Sequence, residues 1–166
     1  RDPMTHTGNE IITILIWGFA ATAALSGVMF AAQRMGYSRL SLPFLIGTLF
    51  SGERSSANAT GLVIYLLGGW LFSFVYYFVF ASLGRTGWGL GAALGAAHGF
   101  VLLVMLLPLL PHLHPRMASE YDGPGHMRRL QPPGFLALHY GYRTPLTTIL
   151  AHAVYGAILG SQLAVR

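Results

Sequence analysis

The chain has 166 residues, of which 54% are hydrophobic and only 9% are charged. Soluble domains carry about 25% charged residues, so this composition excludes an ordinary soluble domain and indicates an integral membrane protein. The absence of cysteine excludes a disulfide, a thiolate metal site and a catalytic cysteine. The net charge of +5 does not indicate nucleic-acid binding, because the basic residues are scattered through loops and not gathered on one face.

Residues 1–3 precede a Met4 that looks like a native start, and we interpret them as a remnant of an expression vector. Four apolar runs without Asp, Glu, Lys or Arg follow, at residues 11–32, 61–84, 88–110 and 144–165. About 20 apolar residues are enough for a helix to cross a bilayer. We therefore predict an all-α membrane protein, with a single domain of four transmembrane helices over residues 4–166.

The distribution of arginine predicts the orientation. Four spans place the loops 33–60 and 111–143 on one side of the membrane and both termini on the other. Seven arginines lie in the two loops, whereas Arg85 and Arg166 lie on the opposite side. Loops rich in arginine stay in the cytoplasm, so both termini are predicted to be outside. Four loop arginines are expected to bind anionic lipid headgroups: Arg116, Arg128, Arg129 and Arg143.

An apolar stretch in the first loop, residues 40–50, is only about half as long as a span. We predict a short helix here, with Ser41 as its N-cap and Pro43 in the first turn, where a missing N–H costs nothing. This helix would lie at the membrane interface, re-enter the membrane, or be buried under the loop.

Glycine recurs every four residues along the third span and again in the fourth. The positions are Gly87, Gly91, Gly95 and Gly99, followed by Gly156 and Gly160. Weaker stripes of small residues occur in the first and second spans: Ala23, Gly27 and Ala31, and Gly69 and Ser73. Small residues let helix backbones approach closely in lipid. We predict that the third span packs on the fourth and is the most enclosed helix, within one bundle or across a homo-oligomer.

Two histidines lie inside the predicted spans, His98 in the third and His152 in the fourth. Ionisable groups in a membrane are rare and by default mark a site. Both lie beside glycine ridges, about eight to ten residues from opposite ends of antiparallel spans, so their side chains are predicted to meet near mid-membrane. Thr148 and Tyr155, within one turn of His152, are expected to add hydrogen bonds to this ligand site.

Several functions are compatible with such a pair. The two imidazoles could form a structural hydrogen bond across helices, bind a haem iron or a transition metal, or relay protons. Two histidines alone under-coordinate zinc or copper, and the spans contain no acidic residue to complete the shell. We predict a ligand-, metal- or haem-binding module. The alternative is a non-catalytic structural or accessory subunit that oligomerises or docks to a larger membrane complex.

The loop 111–143 is long for a connection between spans and contains four histidines. His112 and His114 are candidate metal ligands, although the prolines on both sides give the pair no fixed face. No nucleophile–base, P-loop or dinucleotide motif occurs in the sequence. We therefore identify no catalytic residue, and the sequence favours a protein that is not an enzyme.

Four segments carry a resemblance to a known family: residues 107–120, 132–135, 144–146 and 151–156, which read LPLLPHLHPRMASE, PPGF, TPL and AHAVYG. Together they resemble a family of small bacterial polytopic membrane proteins that is a domain of unknown function. The likeness runs from about residue 36 to residue 160. It implies a multi-pass protein of the bacterial inner membrane and carries over no catalytic residue, substrate or cofactor.

Overall fold

The computed structural model describes residues 3–118 and 130–163, with side chains from residue 8 onward. Regular secondary structure in these ranges is helical, apart from an isolated bridge between Met117 and Leu130. Three helices are long and apolar enough to cross a membrane, namely Gly8–Arg34, Arg54–Leu83 and Trp88–Leu113. The prediction of an all-helical membrane protein is confirmed at this level.

The helices are α1 (Pro3–Arg34), α2 (Leu42–Phe50), α3 (Arg54–Leu83), α4 (Trp88–Val101), α5 (Leu107–Leu113) and α6 (Thr144–Gln162). A π-helical segment, Leu102–Leu106, joins α4 to α5, and a 3₁₀ segment, Phe135–Tyr140, precedes α6. Helix α6 begins at the predicted residue but ends three residues before the predicted end of the span, because Leu163 is already extended.

Helix α2 forms an antiparallel hairpin with α3. It begins after Ser41 with proline in its first turn, as predicted, but the Ser41 hydroxyl makes no capping hydrogen bond. A Cβ added at Gly47 would collide with the Ala57 carbonyl, and one added at Gly61 would collide with the Pro43 carbonyl. Glycine on both helices therefore brings the short helix into backbone contact with the long one.

Helices α1 and α3 also run antiparallel and pack through small residues. A Cβ at Gly18 would collide with the Ser73 side chain, and a Cβ at Gly69 would collide with that of Thr22. The indole Nε1 of Trp70 donates a hydrogen bond of 2.9 Å to the Leu15 carbonyl. The predicted small pair Gly69 and Ser73 thus faces α1 inside the same chain.

Helices α4 and α6 run antiparallel with their backbones in contact. A Cβ at Gly91 would collide with the Gly156 carbonyl, and one at Gly95 with the His152 carbonyl. At the end of this interface the Gly87 N–H donates to the Gly160 carbonyl across 2.8 Å. The glycine positions that the sequence marked on these two helices therefore lie opposite one another within a single chain.

The most enclosed helix is α6. Nine of its 19 residues are buried, against six of the 23 residues in the predicted third span, 88–110. The prediction that the third span would be the most enclosed is wrong, because α6 packs against α1, α3 and α4. Helix α4 instead packs mainly against α6 and makes few backbone contacts with α3.

The third apolar helix changes its hydrogen-bonding register near its middle. Pro108 has no N–H to donate to the Val104 carbonyl, and the π-helical segment Leu102–Leu106 lies immediately before α5. Such π segments accommodate a break in the helical ladder and often occur at functional sites. Here the segment separates α4, which pairs with α6, from α5, which extends toward the second long loop.

Candidate functional site

A cavity of about 290 Å³ lies between α3 and the run from α4 to α5, with α1, α2 and α6 completing its walls. Leucine and isoleucine supply most of the lining. The polar side chains that reach it are Thr22, Tyr65, His98, His152 and Tyr155. The cavity is thus an apolar space with a few polar groups, which is the usual composition of a small-molecule site.

The two intramembrane histidines meet at this cavity. The ring centroids of His98 and His152 are 5.0 Å apart, and their planes make an angle of 71°. Both side chains line the cavity. The predicted proximity of the two rings is therefore confirmed, whereas a role of the two rings in binding a ligand stays a prediction.

His152 is fixed by its own helix. Its Nδ1 lies 2.8 Å from the Thr148 carbonyl oxygen, one turn earlier, so Nδ1 must carry the proton and donate. Thr148 thus contributes its backbone and not the expected hydroxyl. The Thr148 Oγ1 is buried and has no hydrogen-bond partner within the described ranges.

His98 is held by aromatic residues of α3. Its ring stacks on Phe72 with the centroids 4.2 Å apart, and its Nδ1 lies 3.4 Å from the Tyr76 hydroxyl. Tyr76 is a residue of this site that was not predicted from the sequence. Its spacing from Gly69 and Ser73, at i, i+4 and i+7, would have identified it, because these three residues lie on one face of α3.

Tyr155 has a different role from the one expected. Its hydroxyl donates to the Gly69 carbonyl across 2.6 Å and lies 2.9 Å from the Ser73 hydroxyl. Its ring meets Tyr76 edge to face at 5.5 Å. Tyr155 therefore ties α6 to α3 beside the histidines and makes no hydrogen bond to His152.

The geometry does not fit a haem or a metal ion held by protein ligands alone. Two imidazole–iron bonds of about 2 Å on opposite sides of a porphyrin would separate the ring centroids by about 6 Å. The observed 5.0 Å edge contact leaves no slot for the porphyrin between the rings. For a metal ion, no cluster of three or more His, Asp or Glu side chains occurs in the part of the chain that the structure describes.

His114 joins the second loop to α2 and is 2% exposed. Its Nε2 lies 3.1 Å from the Leu45 carbonyl, to which it donates, and its Nδ1 accepts the Arg116 N–H at 3.1 Å. Burial lowers the pKa of the His114 imidazole, although the Leu45 hydrogen bond opposes this effect. Both ring nitrogens are used, so His114 does not pair with the exposed His112 as a metal site.

The arginines expected at lipid headgroups have separate environments. The Arg116 guanidinium donates to the carbonyls of Thr48, at 2.6 Å, and Leu49, at 3.2 Å. Arg116 therefore caps the C-terminal end of α2, where a cation is favoured, and is engaged within the protein. Arg143 lies over the Tyr37 ring, 4.4 Å from its centroid. Arg128 and Arg129 lie outside the described residues.

Comparison of the chain with known protein families, with curated proteins and with solved structures finds no match. The resemblance noted in the sequence stays a prediction. The function of the cavity is therefore inferred from its own chemistry: an apolar lining and two adjacent imidazoles.

Proposed function

We propose that this chain is a four-span protein of a bacterial inner membrane that binds a small lipophilic ligand in the cavity beside His98 and His152. Helix α6 is the fourth span in this proposal. Its 19 residues extend about 28 Å, close to the roughly 30 Å of a bilayer's hydrocarbon core. The glycine contacts between α4 and α6 hold this span in the bundle.

The observation that carries the proposal is that the cavity lies between helices that would face lipid. Phe72 on α3 and Leu106 in the π-helical segment both line the cavity. Both side chains are also exposed, at 41% and 50%. The mouth therefore lies between two apolar spans, and a ligand dissolved in the acyl chains enters sideways without crossing water.

The orientation follows the arginine distribution, with the loops in the cytoplasm and the termini outside. Helix α2 then re-enters from the cytoplasmic side and closes the cavity with Leu42, Leu45 and Ile46. Arg143 fits an anionic lipid headgroup on this side. A reporter fused after Arg166 that is active only outside the cytoplasm supports this orientation, and one active only inside contradicts it.

The test of ligand binding fills the cavity without disturbing the backbone. A Cβ at Gly68 meets no atom within 4 Å, and Gly68 lines the cavity, so Gly68→Phe places a ring in the open space. The protein is reconstituted in nanodiscs and photolabelled with a diazirine-bearing alkane. We expect labelling of cavity residues in the original chain and its loss in Gly68→Phe.

The matched control is Gly89→Phe on α4. A Cβ at Gly89 also meets nothing within 4 Å, but Gly89 is exposed and does not line the cavity. Cavity labelling should persist in this variant. Labelling that is confined to the outer helix surfaces of the original chain, or that survives in Gly68→Phe, contradicts the proposal.

A second candidate function, an accessory subunit that associates with itself, is favoured by one observation. The weak stripe on α1, Ala23, Gly27 and Ala31, is exposed along its whole length. A Cβ at Gly27 meets nothing within 4 Å, so the stripe is free for a second α1. Light scattering of the detergent-solubilised protein tests this candidate: Gly27→Leu lowers the mass to that of a monomer if the stripe is an interface.

A further inference from the structure

Two nitrogen atoms of residues that line the cavity have no hydrogen-bond partner among the residues that the structure describes. The Nδ1 atoms of His98 and His152 contact Tyr76 and Thr148, respectively. Neither Nε2 hydrogen-bonds to another described residue. Neither is fully buried, since Thr148 Oγ1 is the sole unpaired side-chain N or O atom fully buried in the described ranges, and both residues line the cavity. An imidazole nitrogen left unpaired in an apolar environment is costly, so these two atoms indicate where a ligand's polar group binds.

The protonation of each ring follows from its Nδ1 contact. His152 donates through Nδ1 to a carbonyl, so its Nε2 is a hydrogen-bond acceptor. For His98, the Tyr76 hydroxyl needs an acceptor, and Nδ1 of His98 is the acceptor that it contacts. The proton of His98 is then on Nε2, which becomes a donor. The opposite tautomer would leave the Tyr76 proton without this acceptor.

We infer that the polar group of the ligand is an alcohol or phenol hydroxyl, bound between the Nε2 atoms of His98 and His152. This inference rests on the proposed function. The hydroxyl oxygen accepts from Nε2–H of His98, and the hydroxyl proton is donated to Nε2 of His152. A hydroxyl suits this site because one small group supplies both an acceptor and a donor.

Other polar groups form a hydrogen bond with only one of the two Nε2 atoms. An ether or a carbonyl accepts from His98 but leaves Nε2 of His152 unpaired, and an alkane leaves both nitrogens unpaired. A carboxylate would enter as an anion, yet the cavity lining contains no arginine or lysine to compensate its charge. A water molecule makes the same two hydrogen bonds as a hydroxyl, so a ligand that displaces water without replacing them loses affinity.

The experiment compares three ligands of similar length and different hydrogen-bonding capacity. In the nanodisc photolabelling assay, 1-decanol, its isomer methyl nonyl ether, and undecane compete with the diazirine alkane at matched mole fractions in the bilayer. We expect 1-decanol to protect the cavity at a concentration about tenfold or more below that of the other two, because one unpaired nitrogen costs this much affinity.

The matched variant is His152→Asn. The asparagine amide N–H can replace Nδ1 and donate to the Thr148 carbonyl, but no atom replaces Nε2. The advantage of 1-decanol over the ether should disappear, while protection by undecane stays unchanged. His98→Phe, which keeps the ring on Phe72 and removes the donor, provides a second test if His152→Asn does not fold. The ether should then protect no better than undecane, because it has lost the one donor that it accepts from, whereas 1-decanol can still donate to Nε2 of His152.

The outcomes separate this inference from the proposed function. Equal protection by all three competitors overturns the hydroxyl assignment and leaves ligand binding in place. An advantage of 1-decanol over the ether that survives in His152→Asn also overturns it, as does an ether that still protects better than undecane in His98→Phe, because the polar group then binds elsewhere. If no competitor protects and the label never enters the cavity, the proposed function fails and the inference fails with it.

Discussion

Helix α4 and its continuation have two sides that pack in opposite ways. Toward α6, Gly91 and Gly95 lie against the carbonyls of Gly156 and His152, with no room for a methyl group. Toward α3, the same run diverges and leaves a cavity of about 290 Å³. His98 lies beside the tight side yet lines the open one. The contrast shows how a small bundle can hold two side chains in fixed positions beside an open space. The glycine interface sets the histidine positions, and the gap is where we propose that the ligand binds.

The tight side, which is the interface between α4 and α6, is easier to disrupt by substitution than the open side toward α3. Gly95→Leu puts a branched side chain where even a Cβ collides with the His152 carbonyl. Backbone contacts cannot relax around a new side chain as flexible side chains do, so we expect destabilisation by about 3 kcal/mol or more and poor recovery of folded protein. Thermal unfolding in detergent, followed by circular dichroism, measures the effect.

Gly89→Leu is the control for this substitution. It introduces the same side chain in the same helix at an exposed glycine that a Cβ does not crowd. Its stability should stay close to that of the original chain. If Gly95→Leu unfolds at the same temperature as Gly89→Leu, the two helices do not pack through these glycines.

The sequence predicted the tight side better than the open side, and the reason is physical. A four-residue glycine period marks a close helix interface locally, and the same periodicity placed His98 and His152 on the faces that meet. The cavity depends on the divergence of α3 from α4, which no local pattern encodes. Tyr76 shares a face of α3 with Gly69 and Ser73, but its contact with His98 depends on how α3 and α4 lie relative to each other, which the periodicity alone does not give.

The role of Arg116 also could not be predicted from the sequence. Its lipid-headgroup interpretation rested on the charge of the loop, which fits most juxtamembrane arginines. The structure instead places its guanidinium at the C-terminal carbonyls of α2. Only the three-dimensional docking of the second loop on α2 brings these residues, 67 and 68 positions apart, together.

Arg116→Ala tests how α2, the helix that closes the cavity, is held in place. The substitution leaves the carbonyls of Thr48 and Leu49 without their cationic donor, and hydrogen bonds to charged groups contribute about 1.5–3 kcal/mol. We expect faster hydrogen exchange in α2, measured by mass spectrometry, while exchange along α6 is unchanged. Arg54→Ala, at an exposed arginine that begins α3, is the control. Unchanged exchange in α2 would show that the guanidinium does not hold this helix.

Acid should loosen the same helix through His114. Burial lowers the pKa of this imidazole in the folded protein, so folding favours the neutral form. The stabilisation is present above the unfolded pKa of about 6.5 and is lost as the pH falls below it toward the folded pKa. Protonated Nδ1 can no longer accept the Arg116 N–H, and the nearby guanidinium repels the new charge.

The measurement is exchange in α2 at pH 7.5 and pH 5, corrected for the intrinsic pH dependence of exchange. His114→Gln keeps an amide N–H able to reach the Leu45 carbonyl and does not titrate in this range. The loosening of α2 at pH 5 should disappear in this variant. If His114→Gln retains it, another group carries the pH dependence.

The smallest effect is expected from replacing glycine by alanine, once at the cavity and once at the α4–α6 interface. Gly68→Ala on the open side adds a methyl group that meets no atom within 4 Å, and replacing a helical glycine by alanine favours the helix by about 0.5–1 kcal/mol. Gly91→Ala on the tight side has the same gain in helix propensity but pushes its methyl group into the Gly156 carbonyl. We therefore expect a small rise in unfolding temperature for Gly68→Ala and a fall for Gly91→Ala, both measured in the same detergent. Shifts of the same sign would contradict this expectation. Helix propensity, and not the distance to the neighbouring helix, would then decide the change in unfolding temperature at both glycines. The two sides of α4 would not differ in packing as described.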